Sequence, residues 1–126
     1  MVTWILWALI LAMLAWMGFN YLRIRRAAKI VDNEEFEALI RTGQLIDLRD
    51  PAEFHRKHIL GARNIPSSQL KTSLAALRKD KPVLLYENQR AQRVTNAALY
   101  LKKQGFSEIY ILSYGLDSWE GKVKTS

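Results

Sequence analysis

The chain contains no cysteine among its 126 residues. Disulfide bonds, thiolate metal sites and a cysteine nucleophile supplied by this chain are therefore excluded. Histidine is scarce as well: the chain has two, His55 and His58, and no third ligand is evident beside them. Because a zinc site needs three or four protein ligands, we expect neither a metal ion nor another cofactor.

Charge is absent from the first segment of the chain. Residues 2–22, VTWILWALILAMLAWMGFNYL, carry no charged side chain. A helix of this length spans about 30 Å, the thickness of the hydrocarbon core of a bilayer. Aromatic side chains lie towards both ends, as interfacial anchors usually do: Trp4, Trp7, Trp16 and Tyr21. We predict one transmembrane helix over residues 1–22.

A cleaved signal peptide is the alternative interpretation of this segment. A signal peptide has basic residues before a shorter apolar run, whereas here the basic residues follow the run: Arg23, Arg25, Arg26 and Lys29. Positive residues next to a membrane span tend to stay in the cytoplasm. We therefore expect a single-pass protein of the cell membrane with its N-terminus outside. Residues 23–28 would form a basic juxtamembrane linker able to contact anionic headgroups.

The net charge of +7 comes in part from this linker. All twelve acidic residues lie after Val31, and the same part of the chain contains fifteen basic residues, so its net charge is only about +3. No basic stripe with interleaved aromatic residues, which single-strand binders use, is visible. We expect no nucleic-acid partner.

Apolar runs and helical patterns alternate through residues 29–126. The apolar runs predict strands at 29–31, 45–48, 63–65, 83–86 and 109–112. The helical patterns predict a helix from Asp32 or Asn33 to Gly43, a turn after Pro51, a helix from Ser67 or Ser68 through Leu77, a helix over Val94–Leu101 and a last turn at 116–119. This order indicates a small five-stranded, mostly parallel α/β sheet flanked by helices, forming one domain.

A candidate site follows the fourth predicted strand. In open parallel sheets, ligands bind beyond the carboxyl ends of the strands. There a polar loop leads into a helix N-terminus, an arrangement that directs backbone N–H groups at an anion. The loop consists of Glu87, Asn88, Gln89, Arg90, Ala91, Gln92 and Arg93. An ordinary solvated connection is the alternative.

A second cluster follows the second predicted strand. Asp47 and Arg49 stand at the end of that strand and can point into the same crevice. His58 would flank the crevice, although it could equally serve as a capping or packing residue. Glu53 and Arg56 are expected to form at most a surface ion pair.

Three segments resemble the rhodanese family of sulfurtransferases and their non-catalytic relatives. The first, LIDLRDPAEFHRKHILGARNIP, is similar to the family's long pattern from Asp-x-Arg to Asn-Ile-Pro. The tail, IYILSYGLDSW, is similar to the family's Gly-Gly-x-x-x-Trp ending, with Tyr114 in place of the first glycine. The segment LLYENQRAQRVTNAALYLKKQGF matches the strand, loop and helix that carry the active site. The resemblance covers about residues 28–122 and implies the rhodanese fold.

The position after the strand tyrosine departs from the family. Active members have a cysteine there, which holds the transferred sulfur as a persulfide, whereas this chain has Glu87 after Tyr86. The loop also lacks the family's glycine and is one residue longer, as in the related phosphatase branch. We expect the Glu87 carboxylate to occupy the loop itself, accepting N–H groups and bridging to Arg93. Alternatively, Arg90 and Arg93 could retain weak affinity for an anion.

The apolar first segment, the resemblance and the missing cysteine together favour a membrane-tethered, catalytically inactive rhodanese-like domain, a bacterial pseudoenzyme that binds or regulates a protein partner. The alternative is an enzyme related to sulfurtransferases or phosphatases that works with a partner's cysteine. In that case the 87–93 loop would bind an oxyanion, with Arg49, Arg90 and Arg93 stabilising it. A spacer whose membrane helix dimerises is a third hypothesis, but the small-residue spacing at Ala8, Ala12 and Ala15 is weak. The sequence leaves the oligomeric state open.

Overall fold

A computed structural model describes residues 2–89 and 92–125, without the side chains of residues 24–26. Its helices are α1 (Val2–Ala27), α2 (Asn33–Ile40), α3 (Pro51–Arg56) and α4 (Gln92–Lys103). Its strands are β1 (Lys29–Val31), β2 (Gln44–Asp47), β3 (Lys57–Ile59), β4 (Arg63–Asn64), β5 (Val83–Tyr86), β6 (Ile109–Leu112) and β7 (Val123–Thr125).

Five strands form the central sheet in the order β1-β6-β5-β2-β4, and all of its pairings are parallel. The predicted five-stranded α/β sheet is thus confirmed. A second sheet, which the sequence did not predict, pairs β3 with β7 antiparallel. Its two strands are each three residues long and lie far apart in the chain, so no local sequence pattern predicts their pairing.

Both faces of the central sheet are covered, which explains why its middle strand is continuously apolar. All four residues of β5 are fully buried, and successive side chains point to opposite faces. Leu85 packs with Val94 and Leu101 on the α4 side. Tyr86 packs with Phe36 of α2 on the other side.

The helix predicted from Ser67 or Ser68 through Leu77 is wrong. The segment instead forms two short 3-10 turns, Ser67–Gln69 and Leu74–Ala76. Hydroxyl side chains compete with helical hydrogen bonding here, since Thr72 Oγ1 donates to the Gln69 carbonyl at 3.0 Å. Leu70 and Leu77 are buried as expected, so the core accepts them without a regular helix.

Helix α1 does not end at Leu22 but continues through most of the predicted linker to Ala27. Its segment Val2–Arg23 is exposed, and by length and composition it is a candidate membrane span. The helix end packs against α4, and Ala27 and Ala28 are buried. Since β1 begins at Lys29, the helix joins the domain without a flexible connection.

The five parallel strands begin at one end of the sheet and finish at the opposite end. We call the end where they begin the amino edge and the end where they finish the carboxyl edge. The chain enters the sheet from α1 at the amino edge, because β1 starts two residues after α1 ends. The candidate site lies at the carboxyl edge, about 13 Å away along a four-residue strand.

Candidate functional site

Glu87 is the first residue after β5 and is largely buried, with 9% of its surface exposed. Its carboxylate oxygen Oε2 accepts the backbone N–H of Val94 at 2.8 Å. Val94 is the third residue of α4, where backbone N–H groups lack partners within the helix. The carboxylate therefore caps α4 at the end of the helix that favours negative charge.

The expected bridge from Glu87 to Arg93 is wrong. Among the described residues Arg93 forms no ion pair with Glu87. Its exposed side chain lines a separate groove between α4 and the segment after β4, together with Ser67, Lys71 and Tyr100. Arg90 and Ala91 lie outside the described residues.

Backbone contacts fix the start of the loop against the turn that follows β6. The carbonyl oxygen of Glu87 accepts the N–H of Leu116 at 2.8 Å, and that of Asn88 accepts the N–H of Asp117 at 3.0 Å. Gly115 makes this close approach possible, because a Cβ atom there would meet the carbonyl oxygen of Glu87 at 2.6 Å. Its φ of +70° also favours glycine.

Asp47 and Arg49 form a buried ion pair at the end of β2. Nη2 of Arg49 lies 2.8 Å from Oδ2 of Asp47, with 6% and 0% of the two side chains exposed. Arg49 also donates from Nε to Asp47, from Nη1 to Oδ1 of Asn88 at 3.0 Å, and from Nη2 to the carbonyl of Lys57. Four of its five N–H groups are therefore engaged within the protein.

The electrostatics of this pair follow from burial and charge together. Burial alone would lower the pKa of Arg49, but the hydrogen bond and the negative charge of Asp47 outweigh it and raise that pKa. Burial and the charge of Asp47 also raise the pKa of Tyr86. The guanidinium thus stays charged and the phenol neutral, and the phenol oxygen accepts the N–H of Ile59 at 3.1 Å.

A cleft of about 300 Å³ opens beside these groups at the carboxyl edge. Its lining residues are Arg49, Glu53, Arg56, Lys57, Asn88, Leu116 and Asp117. Three cations thus face two carboxylates, and Glu53 accepts a hydrogen bond from Nδ2 of Asn88 at 3.2 Å. The cleft is polar and mixed in charge rather than strongly cationic.

The structure separates the remaining predicted residues from the cleft. Ring stacking holds His58 on Phe54 with centroids 3.8 Å apart, and its Nδ1 lies 2.7 Å from the Phe54 carbonyl oxygen. His58 is therefore a packing residue and does not line the cleft. Gln89 reaches Asp117 at 3.4 Å over an adjacent shallow groove, and Gln92 bonds to Asn96 on the surface of α4.

The cleft also contains residues that the sequence did not single out. Lys57 and Asp117 come from β3 and from the turn after β6, which meet the loop only in the folded chain. The expected ion pair between Glu53 and Arg56 is absent among the described residues. No group of three His, Asp or Glu side chains in residues 2–89 and 92–125 is placed to hold a metal ion.

The fold and the site together define a rhodanese-type module without its nucleophile. The family model of the rhodanese-like domain matches residues 32–122, and the chain belongs to this family. It is 48% identical to YqhL of Bacillus subtilis over 113 residues, which cover 90% of this chain and 89% of that protein. That match is longer than the domain alone and so includes part of α1.

Sulfurtransferases are among the relatives. The thiosulfate sulfurtransferase GlpE of Stutzerimonas stutzeri is 36% identical over 94 residues, which cover 72% of this chain and 84% of that protein. A crystal structure of a thiosulfate sulfurtransferase from Pseudomonas aeruginosa superposes with a TM-score of 0.68 at 26% identity, covering 78% of this chain and 20% of that one.

A rhodanese-related protein from Thermoplasma volcanium gives a TM-score of 0.70 at 23% identity, covering 78% of this chain and 99% of that one. The chain is thus a homologue of sulfurtransferases with the rhodanese fold, and it has no cysteine.

Proposed function

We propose that this protein is a catalytically inactive rhodanese-like domain held at the cytoplasmic face of a membrane by α1, where it binds a protein partner. The observation that carries the proposal is the carboxylate of Glu87, which stands at the family's cysteine position and accepts the N–H of Val94 at 2.8 Å. The helix end that would face an anionic donor already holds an internal anion.

Carboxylate chemistry supports inactivity. Sulfur transfer needs an atom that attacks the donor, holds the sulfur as a persulfide and then releases it. A carboxylate oxygen cannot do this, and no cysteine elsewhere in the chain can replace it. The negative charge of Glu87 also repels thiosulfate and similar anions.

The cleft supports a binding role. It is open at the carboxyl edge, on the side of the sheet away from the entry of α1, and cytoplasmic proteins could reach it. Because Arg56 and Lys57 lie beside Glu53 and Asp117, a partner segment with charges of both signs would match it better than a small oxyanion.

The rival hypothesis, an enzyme that uses a partner's cysteine, requires a cationic pocket for the oxyanion. Arg49, one of its proposed cations, already donates to Asp47, Asn88 and Lys57. Arg93, another, lies in a different groove. These contacts favour the binding role over the enzymatic one.

An assay of sulfur transfer tests the inactivity. The full chain, purified in detergent, is mixed with thiosulfate and cyanide, and thiocyanate is measured against the buffer rate. GlpE of Stutzerimonas stutzeri serves as the active control. We expect no rate above buffer, and turnover that rises with protein concentration would refute the proposal.

Site-specific photocrosslinking in membranes tests the binding role. A photoreactive residue replaces Asp117 in the cleft or, as the control, Thr72, which is exposed outside it. We expect a discrete crosslinked protein from position 117 and none from position 72. The same products at both positions, or none at either, would argue against a partner in the cleft.

A further inference from the structure

The amino edge of the sheet collects basic side chains from across the chain. Each of these residues opens a strand, lies in the segment that leads into one, or lies in the last turn of α4. All eight are exposed: Lys29, Arg41, Arg63, Arg78, Lys79, Lys81, Lys102 and Lys103. Two carboxylates, Asp80 and Glu108, lie among them, and a third, Glu35 of α2, reaches Lys29. Because the five strands are parallel, segments distant in sequence meet at this one edge.

Specific contacts join these segments into a continuous surface. The Gln44 side chain accepts the N–H of Arg78 at 2.6 Å and donates to the Arg78 carbonyl at 2.7 Å. Arg63 donates to the Ala76 carbonyl at 3.0 Å, and Nζ of Lys79 lies 5.9 Å from the ring centroid of Phe106. The edge is thus a defined face of the domain.

The few carboxylates at the amino edge neutralise little of this charge. Asp80 pairs with Arg78 at 2.6 Å, and Glu35 of α2 pairs with Lys29 at 3.4 Å. Among the described residues this leaves six of the eight basic residues, with Glu108, outside an ion pair. The carboxyl edge differs, since its cleft mixes both signs. The domain therefore has one strongly basic end.

That basic end is also the end at which α1 enters. From Leu22 to Ala27 the helix rises about 8 Å, close to the thickness of about 5–8 Å of the headgroup layer on each side of a bilayer. Lys29 then opens β1. With α1 across a membrane, the amino edge therefore lies at the level of the headgroups.

We propose that the amino edge is a membrane-contacting surface that binds anionic phospholipid headgroups. This inference rests on the membrane anchoring proposed above and goes beyond it by assigning a face of the folded domain to the lipid. The basic residues complement the phosphates in charge, and the surface is continuous with the anchor. The bilayer is therefore its natural occupant rather than a soluble acidic protein.

Single-cysteine probes test the contact, and the absence of native cysteine makes their labelling specific. The full chain carries Ser107→Cys at the amino edge or Tyr114→Cys near the carboxyl edge, both exposed positions. A fluorophore on the cysteine reports quenching by headgroup nitroxides on phosphatidylglycerol or phosphatidylcholine in mixed vesicles. We expect strong quenching by the phosphatidylglycerol label at position 107, weaker quenching by the phosphatidylcholine label, and little by either at position 114.

Two double variants identify the residues responsible. Lys102→Gln with Lys103→Gln should reduce the preference for phosphatidylglycerol by about fivefold for each lysine removed. Arg93→Gln with Lys124→Gln removes the same charge from exposed positions at the start of α4 and within β7, away from the amino edge, and should leave the preference unchanged. The juxtamembrane arginines are the same in both variants and cannot cause a difference between them.

Three results would overturn the proposal: equal quenching by the two lipids at position 107, equal responses of the two double variants, or stronger quenching at position 114. Alkaline carbonate extraction separates this failure from failure of the anchor. Release of the protein by carbonate would refute the anchoring and this inference with it. Retention in the membrane without lipid preference would refute the surface alone.

Discussion

Glu87 changes the site at the scale of a single side chain. A cysteine at this position would leave the α4 terminus free to receive an external anion, whereas the carboxylate is itself the anion. Arg49 is similarly committed, since it holds Asp47, Asn88 and the Lys57 carbonyl together. Two residues that could have served chemistry instead stabilise the loop.

Replacing Glu87 tests its capping role. Glu87→Ala leaves the buried N–H of Val94 without its partner and should lower the free energy of unfolding by about 1–3 kcal/mol. Glu87→Gln keeps an oxygen acceptor without the charge, and its cost should be smaller. Urea unfolding of the full chain in detergent, followed by circular dichroism, measures both. Equal losses in the two variants would show that the carboxylate does not cap the helix.

Individual elements differ in how far the sequence could predict them. The strand Val83–Tyr86 is found as predicted, because a short run of four apolar residues is typical of a strand that is buried on both faces of a sheet. Helix α4 buries Val94, Ala97, Ala98 and Leu101, as its spacing requires. Residues 67–77 have helical spacing too, but two hydrogen bonds favour separate turns. Thr72 Oγ1 donates to the Gln69 carbonyl, and the Gln44 side chain accepts the N–H of Arg78.

Part of the candidate site could be predicted from the order of the strands. Asn88 and Arg49 follow strands that end at one edge, so their meeting follows from topology. Lys57 and Asp117 reach the cleft through long-range packing, which no local pattern encodes. Arg93 leaves the site because the turn of α4 directs it to the other side of the helix, towards Lys71.

Gly115 provides a test at the level of the connecting turns. Gly115→Ala adds a Cβ that meets the Asn88 and Glu87 carbonyl oxygens in a left-handed conformation. Gly61 has a φ of +91° with no atom within 4 Å of such a Cβ, so Gly61→Ala isolates the backbone strain of about 1–2 kcal/mol.

The clash at Gly115 should add about 1–3 kcal/mol to that strain. Urea unfolding compares the two variants, and hydrogen exchange at residues 87–89 should increase in Gly115→Ala alone. Similar stability of the two variants would mean that the turn and the loop are not in close contact.

The whole molecule has two unlike ends. The amino edge carries the basic residues and receives α1, while the carboxyl edge carries the cleft. If α1 crosses the membrane as proposed, this polarity places the cleft on the side of the sheet that faces the cytoplasm. In that arrangement, about one strand length would separate the proposed lipid contact from the proposed partner-binding cleft.

Cysteine labelling checks the proposed orientation. A membrane-impermeant maleimide should label a cysteine placed in a short Gly-Ser extension before Met1 in intact cells, and Tyr114→Cys only after the cells are lysed, because the basic residues follow the span. The extension lies outside the proposed span and Tyr114 is 71% exposed on the domain, so labelling reports the compartment of each. Labelling of Tyr114→Cys in intact cells would reverse the orientation.

The direct connection of α1 to the domain also fixes the direction in which the cleft opens relative to the helix. If α1 spans a membrane between Leu22 and its N-terminus as proposed, the rotation of the helix about its own axis sets the direction in which the cleft opens in the plane of the bilayer, because α1 leads into β1 without a flexible connection. An α-helix turns by about 100° per residue, so one residue inserted between Leu22 and β1 would swing the opening through more than a quarter circle. A partner anchored alongside would then meet a different side of the domain.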